Sequence, residues 1–395
     1  MDDIEATKSY LDFVRYCIDE QQCIPSIKDW DALFLFMQQQ ALLGVGFRGL
    51  ERMKKAGVDV PRNVVLKWYA MSEQIKQANQ KANKACVEVS DFFRAQGFRS
   101  CILKGQGNTL YYPVPYIRTS GDIDIWLEGG HDKIMNFVND KWPGMLERYH
   151  HVEVPAWNGV AVEIHFTPSY MHAPWMNKRM QQWLSGQAEE QFSNRVGLPD
   201  GAGSIYVPTL EFNLIYQLSH IYRHLFSEGI GLRQIVDYYY LLRKAKDESE
   251  KLIVKSEKFF DENSGLKSGN LNAGHVGSEG LGFRVESLES TLRYLNLYKF
   301  AGAVMWVLHE VFGLEKEYMI APMDEWRGCL LLDEILKGGN FGHYSGLTNH
   351  STGTKYFLKI KRNMRFVRAY PSEALCEPLF RTWHFFWRFF VKFRV

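Results

Sequence analysis

The sequence is poor in cysteine, and its cysteines are not arranged in pairs. The six residues stand at positions 17, 23, 86, 101, 329 and 376, without a Cys-x-x-Cys motif. This scatter excludes a disulfide framework and a cysteine zinc site as the basis of the fold. A reducing compartment is therefore expected.

Long apolar runs and a strong net charge are also missing. No stretch of about 18 uncharged apolar residues occurs, so no transmembrane helix is expected. The first residues, Met1-Asp2-Asp3-Ile4-Glu5, are acidic and lack the apolar region of a signal peptide. The net charge of +2 gives no overall nucleic-acid-binding signal. These absences predict a cytoplasmic protein.

Apolar and aromatic residues are abundant enough to form a large core. They make up 46% and 14% of the 395 residues, respectively, and this length predicts two or three domains. We predict an α+β fold in which a small mixed-sheet core, residues 98–208, follows an N-terminal helical region, residues 1–97. A C-terminal helical domain, residues 209–395, carries a flexible Gly/Ser/Asn-rich insertion near 245–285.

Apolar spacing predicts helices in both flanking regions. Residues Asp31 to Met53 have helical spacing that the Gly44/Gly46 pair is expected to break. Pro61 opens a long amphipathic helix that ends before Gly97. Further helices are predicted over 131–142, 209–226, 232–244, 290–312 and 324–336.

Alternating residues between these helices predict strands. The segments are 98–103, 122–127, 150–154 and 160–166, and Asn158-Gly159 forms a turn before the last of them. The mixture of short helices and strands predicts a mixed sheet.

The strand Asp122-Ile123-Asp124-Ile125 carries two carboxylates separated by one residue. Strand side chains alternate between faces, so Asp122 and Asp124 point the same way while the isoleucines enter a core. Glu163 lies in a similar apolar strand, Val162 to Phe166. Three carboxylates on neighbouring strands can hold two divalent metal ions roughly 3.5–4 Å apart, as phosphoryl chemistry requires.

An ordered set of short motifs resembles a known family. The sequence is similar to an uncharacterised bacterial nucleotidyltransferase family of the DNA polymerase β-like superfamily, often encoded in polysaccharide gene clusters. The resemblance covers roughly residues 95–245. The motifs are Leu103-Lys104-Gly105, Tyr112-Pro113, Arg118, Gly121 to Asp124, Glu163-Ile164-His165 and Gly231 to Asp237.

The resemblance implies transfer of a nucleoside monophosphate from an NTP to an unidentified acceptor, with release of pyrophosphate. Asp122, Asp124 and Glu163 would hold Mg²⁺ or Mn²⁺ and carry catalysis. The implied nucleotide-binding residues are Lys104, Gly105, Arg118, Ser120 and Gly121. Two alternatives stay open at this point: a catalytically inactive nucleotide-binding scaffold, and a toxin-like enzyme that nucleotidylates tRNA or protein.

Other polar residues are candidates for substrate contacts. His165 shares a strand face with Glu163, and His220 and His224 lie one helical turn apart. Arg233 and Asp237 have the same spacing, which allows an intrahelical ion pair or a nucleotide contact.

The C-terminal segment mixes cations with aromatic residues. Residues 361–395 contain eight Lys or Arg and two Glu. Such a segment packs on the core as a terminal helix or provides a peripheral contact with a membrane, on its cytoplasmic face, or with a nucleic acid.

Overall fold

The computed structural model describes residues 2–19, 22–263, 285–344 and 351–392. It has the α+β architecture expected from the sequence, with a mixed sheet between two sets of helices. Most of the predicted Gly/Ser/Asn-rich insertion, residues 264–284, lies outside the described residues. Within the described residues, no helix is both long and apolar enough to cross a membrane.

Four helices precede the sheet, and the long one begins after Pro61 and ends before Gly97 as predicted. Their bounds are α1 Asp2–Ile18, α2 Trp30–Gln39, α3 Leu43–Lys55 and α4 Arg62–Ala95.

The predicted helix break at Gly44 and Gly46 is wrong. The chain turns at Ala41, which adopts a φ of 55°, and both glycines lie inside α3. A Cβ on Gly44 would clash with the carbonyl oxygen of Ile117, and one on Gly46 would clash with the ring of Trp68. The glycines therefore allow close packing and do not end a helix.

The central sheet has five strands in the order β1-β2-β5-β4-β3. β2 and β5 run parallel, and the other neighbours are antiparallel, which confirms the mixed sheet. The elements of this region are β1 Ser100–Leu103, α5 Gly105–Thr109, β2 Ile123–Leu127, α6 Gly130–Lys141, β3 Leu146–Glu147, β4 His151–Trp157 and β5 Val160–His165.

The two faces of the sheet differ in chemistry because strand side chains alternate. One face is apolar: Ile102, Ile125 and Ile164 form a cluster with Val89 and Phe93 of α4. Burial of this face fixes the strand register, and the polar side chains are left on the opposite face.

The remaining chain is mainly helical. Its elements are α7 Pro174–Gln191, β6 Arg195–Gly197, β7 Ser204–Tyr206, α8 Leu210–Ser227, α9 Leu232–Asn263, α10 Val285–Tyr294, α11 Tyr298–Phe312, α12 Glu325–Gly338, α13 Thr352–Met364 and α14 Pro371–Lys392. The single helix predicted over 290–312 is wrong: the chain breaks between α10 and α11, where Asn296 has a φ of 58°. α9 is also longer than predicted.

The N-terminal and C-terminal helices share one core. Phe13 and Trp68 belong to the same buried cluster as Tyr216 and Phe312. Arg15 of α1 also donates a hydrogen bond of 2.9 Å to the carbonyl oxygen of His309 on α11. The domain boundaries at residues 97 and 208 stay a prediction.

Candidate active site

The three predicted acidic residues lie at one edge of the polar sheet face. Asp124 on β2 pairs in register with Glu163 on the parallel strand β5. Asp122 immediately precedes β2, two residues from Asp124, and is exposed, whereas Asp124 is buried and Glu163 is half-buried. The sheet register thus brings together carboxylates that are about 40 residues apart in sequence.

Asp124 is held by two basic side chains. Lys104 Nζ lies 3.1 Å from its Oδ2, and His165 donates Nε2–H to its Oδ1 at 2.9 Å. Burial alone would raise the pKa of Asp124, but Lys104 and His165 outweigh burial, so its pKa is lowered. Asp124 is therefore ionised even inside the protein.

The pKa of Asp122 is shifted in the opposite direction. Repulsion from the buried Asp124 is the main cause that raises the pKa of the exposed Asp122 to about 6, although the charge of Lys104 acts the other way. Two neighbouring carboxylates that resist joint ionisation are stabilised by a nearby cation. The pair therefore favours binding of a divalent metal.

A cleft of about 250 Å³ opens in front of these acids, between the sheet and helices α8 and α9. Most of the site residues predicted from sequence line this cleft, but Glu163, His165 and His224 do not. The predicted residues that line it are Lys104, Gly105, Arg118, Ser120, Gly121, Asp122, Asp124, His220, Arg233 and Asp237.

The turn from β1 into α5 places Lys104 at this cleft. Lys104 has a φ of 52° and Gly105 a φ of 42°. A positive φ is uncommon for a residue other than glycine and clusters at functional sites. The turn directs the Lys104 amine toward the acid pair, where it also donates to His220 Nε2 at 2.8 Å.

His220 lies next to Lys104, and His224 lies next to His220. The Nε2 atoms of His220 and His224 are 2.9 Å apart, and His224 Nδ1 lies 3.1 Å from Glu228. Burial, followed by the charge of Lys104, holds the pKa of His220 well below its usual value. His220 is therefore a neutral acceptor on the helical wall of the cleft.

The ion pair of Asp237 differs from the intrahelical pair considered from sequence. Asp237 binds Arg118 through two hydrogen bonds, 2.8 and 2.9 Å long. Arg233 instead donates to the carbonyl oxygen of Thr119 at 3.2 Å and lies 5.3 Å from the ring centre of Phe341. Both arginines thereby connect α9 to the loop before β2, which carries Asp122.

The sequence analysis did not identify several residues that line the cleft. Asn108 and Gln217 exchange two buried amide hydrogen bonds, 3.1 and 2.9 Å long, and lie far apart in sequence without a recognisable motif. The other missed residues that line the cleft are Thr119, Ile221, Gln234, Asn340 and Phe341.

The donor atoms suit a divalent cation. Among the described residues, potential ligand atoms of Asp124, Glu163 and His165 lie within 4.8 Å of one another. Because His165 donates its Nε2–H to Asp124, the two carboxylates are the ligands of this group that face a metal. Carboxylate oxygens are preferred by Mg²⁺ and Mn²⁺. Asp122, next to this group, would complete an acidic metal site.

One comparison, with a protein-family model, agrees with the motifs. A family model described as "Uncharacterised nucleotidyltransferase" matches residues 26–258, more than half of the chain. No curated protein matches. A solved structure of an antigenic nucleotidyltransferase-like protein from Paracoccidioides brasiliensis is 13% identical, with 49% of this chain and 89% of that chain covered and a TM-score of 0.27.

Proposed function

This chain belongs to the family of uncharacterised nucleotidyltransferases, and we propose that it transfers a nucleoside monophosphate from an NTP to an acceptor hydroxyl with release of pyrophosphate. The observation that carries the proposal is the placement of Asp124 beside Glu163, with Asp122 two residues away, at the edge of a cleft. This arrangement supports metal-dependent nucleotidyl transfer, since that reaction must neutralise a triphosphate and activate a hydroxyl.

The acids have distinct proposed roles. Asp122, Asp124 and Glu163 would hold Mg²⁺ or Mn²⁺, which supplies charge neutralisation and lowers the pKa of the attacking hydroxyl when bound. Glu163, only half-buried, would accept the proton of that hydroxyl. Asp124, ionised and buried, would position the donor phosphate relative to the acceptor.

Lys104 and the loop before β2 form the proposed phosphate side of the cleft. Lys104 is a cation within reach of Asp124, so it can exchange that contact for an NTP phosphate. Ser120 and Gly121 line the cleft directly ahead of the acids and would approach the phosphates closely. Gly105 would allow the same approach from the other side.

The proposed role of Arg118 is mainly to hold the loop before β2 in place. Its Nε and one terminal nitrogen are already bound to Asp237. Its remaining nitrogen lies 3.4 Å from the carbonyl oxygen of Thr119. Arg118 would therefore hold the loop in place and contribute positive charge to the cleft, together with Arg233.

Label transfer tests the reaction type. The purified full chain is incubated with Mg²⁺, cell lysate and an NTP labelled at either the α- or the γ-phosphate. Nucleotidyl transfer predicts α-label in an acceptor and γ-label in pyrophosphate. Transfer of the γ-label to an acceptor would contradict it, and NTP binding without transfer would favour an inactive scaffold. The labelled molecular class distinguishes tRNA or protein from a glycan precursor.

We also propose that α13 and α14 contact an anionic membrane surface on its cytoplasmic face. The two acids of α14, Glu373 and Glu377, are buried, so the exterior of this helix pair is apolar and basic, as in interfacial helices. The exposed apolar side chains are Phe357, Met364, Leu375, Leu379, Trp383, Phe385 and Phe386, and Lys361, Arg365 and Arg368 are exposed nearby in sequence.

A further inference from the structure

Strands β4 and β5 carry mirrored polar motifs. β4 reads His151-Val152-Glu153, and β5 reads Glu163-Ile164-His165. The turn at Asn158 and Gly159, with φ values of 48° and 73°, folds the strands into a hairpin. In the antiparallel register His151 pairs with His165, and Glu153 pairs with Glu163. Two imidazoles and two carboxylates therefore occupy neighbouring positions on the polar face.

Three of these side chains converge. His151, Glu153 and Glu163 each offer a ligand atom, and these atoms lie within 4.8 Å of one another. His151 Nε2 is 3.6 Å from Glu163 Oε2, which is too long for a hydrogen bond. Two ligands bound tetrahedrally at about 2.1 Å from a Zn²⁺ ion are roughly 3.4 Å apart. The observed separation is close to that of two ligands sharing a metal.

The surrounding side chains hold the three ligands in place. Arg148 Nε donates to Glu153 Oε1 at 2.9 Å, which leaves the other carboxylate oxygen for a metal. His151 Nδ1 lies 3.4 Å from His150 Nε2. When His151 donates this Nδ1 proton, its Nε2 lone pair faces Glu163, and such outer contacts orient metal-binding histidines.

The charge around Glu163 is incompletely balanced. Within the described ranges, no Lys or Arg forms an ion pair with Glu163, whose ion-pair contacts are His151 and His165. His165 is buried, and its Nδ1 has no hydrogen-bond partner. A cation bound beside Glu163 would supply the missing positive charge.

We propose that His151, Glu153 and Glu163 form a second divalent-metal site that shares Glu163 with the catalytic acids. One imidazole nitrogen and two carboxylate oxygens suit Zn²⁺ or Mn²⁺ better than Mg²⁺. Of the three ligands, only Glu163 also belongs to the proposed nucleotidyl-transfer site. A metal bound here would hold the Glu163 carboxylate in place at the edge of the cleft.

Metal binding to the full chain tests this site. The protein is dialysed against Zn²⁺ or Mn²⁺ in excess Mg²⁺, and bound metal is measured by mass spectrometry. Co²⁺ is then substituted, and its visible absorption reports nitrogen ligation. The variants are His151→Ala and Glu153→Gln, the latter nearly isosteric. His343→Ala, which removes an exposed histidine, is the matched control, and thermal unfolding confirms that each variant is folded.

The wild type and His343→Ala are expected to retain one Zn²⁺ or Mn²⁺ ion in excess Mg²⁺. Both site variants are expected to weaken its binding by at least about tenfold and to alter the Co²⁺ spectrum. Asp122→Asn/Asp124→Asn should keep the ion and lose pyrophosphate release, which separates this site from the proposed reaction. Wild-type affinity in folded His151→Ala and Glu153→Gln, or loss of the ion only in the double Asn variant, would overturn the proposal.

Discussion

Arg118 and Asp237 form a buried ion pair in which two guanidinium nitrogens donate to the two carboxylate oxygens. Tyr112 donates a third hydrogen bond, 2.6 Å long, to the same carboxylate. Burial alone would raise the pKa of Asp237, but Arg118 outweighs it and lowers that pKa. The pair joins the loop that precedes β2 to α9, so it positions the loop at the edge of the cleft.

Replacing Asp237 with Asn should destabilise the protein by about 3–5 kcal/mol, because removal of one partner leaves a buried guanidinium uncompensated. Urea unfolding measures the change. Asp247→Asn removes an exposed carboxylate from the same helix and should change stability by less than about 0.5 kcal/mol. Equal effects of the two substitutions would show that the Arg118 pair does not stabilise the fold.

Two glycine-to-alanine substitutions should act in opposite directions. Gly44→Ala places a Cβ against the carbonyl oxygen of Ile117, so it should destabilise the protein by about 1–3 kcal/mol and disturb the loop that reaches Asp122. Gly186→Ala lies on α7, where a Cβ meets no neighbour, and should stabilise it by about 0.5–1 kcal/mol. Thermal unfolding measures both, and a stabilising Gly44→Ala would contradict the close packing of α3.

Lys104→Met should weaken NTP binding by about 1.5–3 kcal/mol, the usual contribution of a hydrogen bond to a charged group. Titration calorimetry with Mg²⁺ and an NTP analogue whose α,β-phosphate bond cannot be cleaved measures this loss. Lys178→Met, an exposed lysine on α7, is the control and should bind normally. If Lys104 only neutralises Asp124, its substitution will change stability and leave NTP affinity unaltered.

The basic apolar surface of α13 and α14 predicts binding to anionic vesicles. Sedimentation with vesicles of mixed anionic and neutral lipids should bring down the full chain, and binding should fall as salt rises. Leu379→Ser/Phe386→Ser should reduce binding at least about tenfold, because each substitution removes an exposed apolar side chain whose burial in the bilayer interface would be worth about 1.5–3 kcal/mol. Leu66→Ser/Tyr69→Ser, which changes exposed apolar residues of α4, should bind as the wild type does. Equal binding of both double variants would rule out this surface.

Local sequence signals predicted the sheet and the acidic edge well. The alternation around Asp124 and Glu163 indicated two strands whose apolar side chains face one core, and the structure places them side by side. The motif Leu103-Lys104-Gly105 contains the lysine that lies 3.1 Å from Asp124 in the structure. The signals themselves are patterns of residues a few positions apart, so a single sequence reveals them.

Features that depend on tertiary contacts were not predictable in this way. Arg118 and Asp237 are 119 positions apart, and nothing local distinguishes their pairing from an Arg233–Asp237 pair. Ala41 and Asn296 turn the chain with positive φ values and carry no glycine signal. His151 gains its importance only from the register of β4 against β5, which brings its imidazole near Glu163.

Pyrophosphate release tests the central claim most directly. The rate is measured with Mg²⁺, each NTP and the acceptor fraction for the wild type, for Asp122→Asn/Asp124→Asn, and for the control Asp132→Asn/Asp140→Asn, which alters exposed acids on α6. We expect the first double variant to lose at least about a thousandfold in rate, a loss typical of removing transition-state charge stabilisation, and the control to match the wild type. Wild-type release by folded Asp122→Asn/Asp124→Asn protein would contradict the assignment of these acids to catalysis.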